Sequence, residues 1–281
     1  MTILVTGATG NIGRMVVDHL VGTGEKVRAL TTNPAKAALP AEVEVVRGYL
    51  GRPETLPPAL AGVDRVYLAP LPETVREFAE LARAAGVRKV VALSSILADP
   101  DAEDDYARSF AVIERAIEDA GFTCHHLRPG AFMENTLGWA EAIRDEGVVR
   151  EPFPNATDTP IAMDDIAAIA ARLLRTDEHP PGPVRLSGPE ALTVPDKVRA
   201  IGAALGREVR YVELTREQGR AQLLDHGVDE ETADWLLTGG DEMRMIPERD
   251  FERIMGHPPT TFAEWARRTA DRFRHVRLSE L

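Results

Sequence analysis

Three glycines at a fixed spacing constrain this chain more than any other feature. The segment Thr6-Gly7-Ala8-Thr9-Gly10-Asn11-Ile12-Gly13 joins the apolar run Thr2–Thr6, too short for a helix, to Asn11–Thr23. In the latter, Ile12, Val16, Val17, Leu20 and Val21 recur at helical spacing. A glycine-rich link in that position has a physical use. Gly7 permits a tight turn, Gly10 lets the backbone approach a pyrophosphate, and Gly13 lets the helix lie close to the strand. The unsatisfied N–H groups at the helix start then face the phosphates. The alternative is a structural turn with no ligand. The strand–helix context favours a dinucleotide site.

The N-terminal half continues the alternation that such a site needs. Strands are predicted at Val27–Leu30, Val43–Arg47, Arg65–Leu68, Lys89–Leu93 and Phe122–Leu127. Helices are predicted at Asn11–Thr23 (stopped by Gly24), Ala35–Leu39, Pro53–Leu60, Glu73–Ala85 and Tyr106–Ala120. The expected fold is therefore α/β, a doubly wound parallel Rossmann sheet covered by helices on both faces. After Pro129 the pattern loosens. Glu151–Pro160 holds three prolines and reads as a loop. Asp164–Leu174 reads as an apolar helix and Val184–Leu186 as a short strand. Helices follow at 195–205, 216–226, 230–238 and Phe262–Phe273, with Arg210–Leu214 as a candidate strand. We expect residues 1–150 to form the Rossmann domain, with a return contribution from about 156–188. Residues 151–281 would form a smaller, mostly helical substrate lobe.

The end of the second strand bears on the cofactor. NAD sites place an acid there to hold the ribose 2′-hydroxyl. Here Arg28-Ala29-Leu30-Thr31-Thr32-Asn33 has none. An acid would repel a 2′-phosphate, whereas Thr31, Thr32 and Asn33 can donate to one. Arg28 and Lys36 are the nearest cations. NADP(H) is favoured over NAD(H).

Charge and cysteine content exclude several classes. With 33 basic and 45 acidic residues the net charge is −12, which repels nucleic-acid backbones and anionic membranes. One cysteine, Cys124, allows no internal disulfide, as expected in a reducing cytoplasm. No apolar run approaches 18 residues, and Met1–Leu4 leads straight into a strand, so a cytoplasmic protein is expected. No metal-ligand cluster is evident.

Beyond the glycine loop, Leu127-Arg128-Pro129-Gly130-Ala131-Phe132-Met133-Glu134-Asn135 and Gly256-His257-Pro258-Pro259-Thr260-Thr261-Phe262 resemble the NmrA-like family, which are atypical short-chain dehydrogenase/reductases. The resemblance runs nearly the whole chain, and extends to Pro160-Ile161, Asp165-Ile166-Ala167 and Leu186-Ser187-Gly188-Pro189-Glu190. Within the family the chain resembles actinobacterial members and the branch that reduces iminium intermediates of ergot alkaloids. The resemblance implies Gly7, Thr9, Gly10, Asn11 and Ile12 at the phosphates, and Thr31, Thr32 and Asn33 at the adenosine ribose. It implies Ala69, Pro70, Leu71 and Ser94 along the ribose and nicotinamide, and Pro129, Gly130, Ala131 and Phe132 beside the nicotinamide ring. Three departures stand out. Many relatives carry Arg where Thr32 stands. Many carry Asp where Tyr49 follows Gly48, so Tyr49 either stacks on adenine or packs. The reductase pair Tyr-x-x-x-Lys is broken, because Phe110 occupies the lysine position after Tyr106.

In ordinary members of this superfamily the lysine activates the tyrosine as proton donor to an alkoxide. An unassisted phenol, with its usual pKa near 10, is a poor acid–base catalyst at neutral pH. Tyr106 is thus a doubtful catalytic residue, as is Glu134, which either reaches substrate or caps its turn; Asn135 carries the same two readings. An iminium ion already carries positive charge and yields a neutral amine, so it needs little acid help. Asp99, Asp101, Glu103, Asp104 and Asp105 would either attract a cationic substrate or cap the Tyr106 helix. His125 and His126 alternate across a strand and cannot share a metal. Trp235, Met243 and Met245 either wall a pocket or pack. Three functions remain open: an NADPH-dependent reductase of a small molecule in secondary metabolism, a non-catalytic NADP-binding redox sensor acting on a protein partner, and a cofactor-holding isomerase or epimerase. Homo-oligomers are compatible with each.

Overall fold

The computed structural model describes residues 1–274. The strands among them are β1 (Thr2–Val5), β2 (Lys26–Thr31), β3 (Glu44–Arg47), β4 (Arg65–Leu68), β5 (Lys89–Leu93), β6 (Thr123–Pro129), β7 (Val148–Glu151), β8 (Gly182–Leu186) and β9 (Arg210–Glu213). The chain divides into two compact units. The first holds Met1–Gly130, Met163–Leu186 and Arg249–Pro258. The second holds Ala131–Ala162, Ser187–Glu248 and the chain from Pro259 onward.

In the first unit seven strands pair in parallel in the order β3-β2-β1-β4-β5-β6-β8. Central strands read as unbroken apolar runs because both of their faces are covered. Ile3, Leu4 and Val5, Val66, Tyr67 and Leu68, and Val90, Val91 and Ala92 are all buried. On one face Phe78, Ala79 and Ala82 of the helix Val75–Ala84 and Ile113 and Ile117 of the helix Asp105–Asp119 join a cluster with Leu4, Val66, Leu68 and Val90. The helix Asn11–Leu20 packs against the helix Met163–Arg175. From β1 the chain runs outward to β3, then returns to place β4 on the other side of β1. That reversal opens a crevice at the carboxyl ends of β1 and β4.

The sequence reading needs correction at several points. The first helix ends at Leu20, because Gly22 already takes a positive φ of 76° before Gly24 does so. Ala35–Leu39 is a 3₁₀ turn at Pro34–Lys36, and Pro53–Leu60 is a 3₁₀ turn plus one helical turn, Pro57–Leu60. Pro57 and Pro58 interrupt the second segment, and the first stops before Ala38, whose φ is +48°. β8 is longer than expected and completes the sheet.

The second unit carries a two-stranded parallel ribbon, β7 with β9. Its core gathers Met133, Ile143, Val149, Val198, Ile201, Phe262, Trp265 and Phe273. Phe262 and Trp265 lie 5.3 Å apart by ring centroids. Residues 131–150, expected in the Rossmann domain, belong here. Conversely 249–258, expected in the C-terminal lobe, joins the first unit. There the Asp250 carboxylate accepts the Arg185 N–H of β8 at 2.9 Å, and Phe251 is buried. The expected helix Phe262–Phe273 stops at Arg268 and resumes as a 3₁₀ turn at Ala270–Phe273. Residues 275–281 of the expected lobe lie outside the described residues.

Candidate functional site

The glycine loop sits at the crevice between β1 and β4. Thr6 fastens its base: its hydroxyl bonds the Tyr67 carbonyl at 3.2 Å and accepts the Ala69 N–H at 2.8 Å. Gly7 has φ +60°, and a Cβ there would stand 3.0 Å from Ala69 Cβ. At Gly13 a Cβ would stand 2.2 Å from the Gly7 carbonyl oxygen, so only glycine lets the helix start this close to the loop. Gly10 is the N-cap. It supplies no side-chain cap, and no acid occupies the first turn. The N–H groups of Asn11, Ile12 and Gly13 have no partner among the described residues. Gly7, Thr9, Gly10 and Asn11 are exposed, whereas Ile12 and Gly13 are buried. A bare helix start with an open glycine approach suits an anion.

At the end of β2, Thr31 is buried and its Oγ1 accepts the Asn33 N–H at 3.2 Å, while Thr32 and Asn33 are exposed. Arg28 does not serve this site. Its guanidinium is held by Glu44 at 2.9 Å and by the carbonyls of Ala59 and Ala61 at 2.9 and 2.7 Å. At Gly48 a Cβ would stand 2.7 Å from Leu30 Cδ1 and 3.2 Å from the Thr55 carbonyl oxygen, so a side chain there would have to displace Leu30. The Tyr49 ring covers Gly51 and remains 47% exposed. Ala69, Pro70 and Leu71 follow β4 and are half-buried.

Ser94, just beyond β5, belongs to a network that sequence reasoning missed. Its hydroxyl donates to Glu114 Oε1 at 2.6 Å, and Arg128 donates to both Glu114 oxygens, at 2.8 and 2.5 Å. Burial pushes the Glu114 carboxyl up, but the bonds from Arg128 and Ser94 outweigh it, and its pKa lies below the ordinary value. A signal existed: Glu114 is a charged residue beside Ile113 and Ile117 on the buried face of its helix, a position that demands a partner.

Tyr106 is the second residue of that helix, 57% exposed, with Phe110 edge-on at 5.0 Å where the lysine would stand. Asp104 caps that helix, and two neighbouring acids bond locally. Asp104 accepts the Ala107 N–H at 2.7 Å, Asp99 accepts the Asp101 N–H at 2.9 Å, and Asp105 pairs with Arg108. Cys124 is buried. His125 is fully buried, and burial pushes its imidazole down to about 4, so it is uncharged at neutral pH.

Pro129 ends β6 in the first unit. Ala131, Phe132 and Glu134 fall in the second. There Phe132 bridges to Ile161, and Glu134 accepts the Trp265 indole N–H at 3.1 Å, a bond that ties the start of this unit to its core. Met243 and Trp235 are 39% and 40% exposed, so core packing does not absorb them. Asn135, Trp139, Glu141, Glu151 and His226 line a cavity of about 630 Å³ within this unit.

The sequence model of the NmrA-like family matches residues 1–249. A (4-alkanoyl-5-oxo-2,5-dihydrofuran-3-yl)methyl phosphate reductase from Streptomyces griseus is 35% identical, covering 96% of this chain and 99% of that protein. An NAD(P)H azoreductase from Xenophilus azovorans is likewise 35% identical, over 96% and 99%. The crystal structure of an NADPH-dependent quinone oxidoreductase from Escherichia coli in complex with NADPH superposes with a TM-score of 0.80 at 28% identity, covering 95% of this chain and 98% of that one.

Proposed function

This chain belongs to the NmrA-like family, and from that premise we propose that it is an NADPH-dependent reductase of small, electron-poor organic acceptors. The observation that carries the reading is the glycine loop. Three N–H groups without protein partners, a glycine approach and no first-turn acid form a cradle for a pyrophosphate. The residues present fit the cofactor. Gly7, Thr9, Gly10, Asn11, Ile12 and Gly13 would hold its phosphates, and Thr31, Thr32 and Asn33 its adenosine ribose. Ala69, Pro70, Leu71, Ser94 and Pro129 of the first unit would border its nicotinamide half. When bound, NADPH supplies a hydride.

The Ser94 hydroxyl is committed as a donor to Glu114, so it offers lone pairs rather than a proton. Phe110 stands beside Tyr106 and offers no charge to activate the phenol. A chain so equipped suits acceptors that take hydride without strong acid assistance. The azo compound, quinone and furanone in the names of similar enzymes are of this electron-poor kind. An iminium ion meets the same requirement, and we place the substrate among such acceptors, in secondary metabolism.

Two tests follow. Calorimetric titration is expected to give tighter binding for NADPH than for NADH, and equal affinities or an NADH preference would overturn the cofactor assignment. A screen of quinone, azo, furanone and cyclic iminium compounds, read by NADPH oxidation, is expected to find an acceptor. With that acceptor, Tyr106→Phe should keep kcat/KM within about tenfold of the parent, because a working general acid contributes roughly 10²–10⁴. A thousandfold loss in a folded variant would make Tyr106 an activated proton donor and return ketones to consideration. Phe110 also favours a second reading. If cofactor binds and no acceptor consumes it, the protein is an NADP-binding redox sensor that works through a protein partner.

A further inference from the structure

We propose that Arg14 is the residue that selects NADP(H) over NAD(H), by bonding the 2′-phosphate from the helix side. The proposal rests on the cofactor reading above and deepens it. The end of β2 supplies only Thr31, Thr32 and Asn33, and no cation. Arg28, the nearest cation in sequence, has its guanidinium committed to Glu44 and to two carbonyls. A dianionic phosphate held by hydroxyl and amide donors alone lacks the charge-assisted bonds that make such recognition strong.

Arg14 supplies what the strand end lacks. It follows Gly13 on the first turn of the helix whose N–H groups face the crevice. Its side chain reaches away from that helix to the loop that follows β2, where Nη1 donates to the Ala38 carbonyl at 2.8 Å. Asp18, one turn further along the helix, holds Nε from behind at 3.2 and 3.3 Å. These two tethers hold the guanidinium between the first helix and the loop at Ala38, a few residues beyond Thr32 and Asn33. Nη2 has no partner among the described residues, and the side chain is 39% exposed. Nη2, the edge left open by these tethers, would be the donor to a phosphate on the adenosine ribose. Ala38 adopts φ +48°, unusual for a residue with a Cβ, and its carbonyl is the group that Arg14 grips. Lys36 is the other cation of this stretch, but it is exposed, and its flexible ammonium cannot match the planar fork.

The test measures NADPH and NADH affinity by calorimetry on the parent, Arg14→Gln and Arg14→Lys, with 2′,5′-ADP and 5′-AMP as fragment probes. Arg14→Gln is expected to weaken NADPH and 2′,5′-ADP by about 10- to 100-fold, the range for lost charge-assisted bonds. NADH and 5′-AMP should stay within about twofold, and Arg14→Lys should recover part of the loss. Equal weakening of both cofactors would make Arg14 a structural residue and overturn the proposal. So would unchanged NADPH affinity, and a matching loss in Lys36→Gln alone would move the selection to that residue. A parent protein that binds neither cofactor would overturn the functional reading as well, which separates the two failures.

Discussion

Replacing Gly10 with valine is expected to weaken dinucleotide binding by at least about 100-fold while leaving the chain folded. Gly10 has φ −85° and ψ 175°, angles that any L-residue adopts, so the backbone itself tolerates the change. A Cβ at this position would sit 3.2 Å from the Gly7 carbonyl oxygen, tight but accommodated by a small shift. Two further methyl groups would then fill the approach to the N–H groups of Asn11, Ile12 and Gly13. Bonds to a charged group contribute about 1.5–3 kcal/mol each, so losing even two accounts for the expected factor. Calorimetry with NADPH measures the affinity, and circular dichroism checks the fold. Undiminished binding in a folded Gly10→Val variant would remove the basis of the dinucleotide site altogether. Gly13 makes a poorer test, since its 2.2 Å clash with backbone would disturb the fold itself.

The second large effect concerns stability. Arg128→Ala is expected to destabilise the protein by about 3–5 kcal/mol, the usual result of removing one partner from a buried ion pair. Glu114, with its side chain only 7% exposed, would keep the Ser94 bond alone. The pH dependence carries the sign. The folded-state pKa of Glu114 lies below its unfolded value. Its contribution is therefore present above the unfolded pKa and fades as pH falls through the folded one. The gap between parent and variant in urea unfolding should be full at pH 7 and narrow steadily below about pH 4. A gap that stays constant across that range would mean that Arg128 acts through packing and not through charge.

Sequence patterning carried furthest where one local rule decides the structure. The β1–glycine–helix unit, the central strands and the break at Phe110 all follow from neighbours a few residues apart. Phe110, four residues after Tyr106, is legible from the spacing alone. What escaped depends on distant partners. Glu114 meets Ser94 and Arg128 from 20 and 14 residues away. β7 has four residues and pairs with a strand about sixty positions later, so neither end announces the other. Arg28 looked available because a strand residue's sequence neighbours do not reveal the carbonyls of Ala59 and Ala61. The return of 249–258 rests on the burial of Phe251 and on the Asp250 bond to Arg185, which no periodicity encodes.

The chain passes between its two compact units at Gly130, Ala162, Leu186, Glu248 and Pro258, and this threading governs how the protein can be altered. Neither unit is a continuous segment. A fragment ending at residue 130 would lack β8 and the helix Met163–Arg175, and would bare the buried faces of Val16, Val17 and Leu20 to water. Exchanging the second unit with that of a relative, to transplant an acceptor preference, would require five junctions cut and rejoined together. Single-cut chimaeras should therefore yield insoluble chains, whereas point changes within the segments of the second unit leave every junction intact.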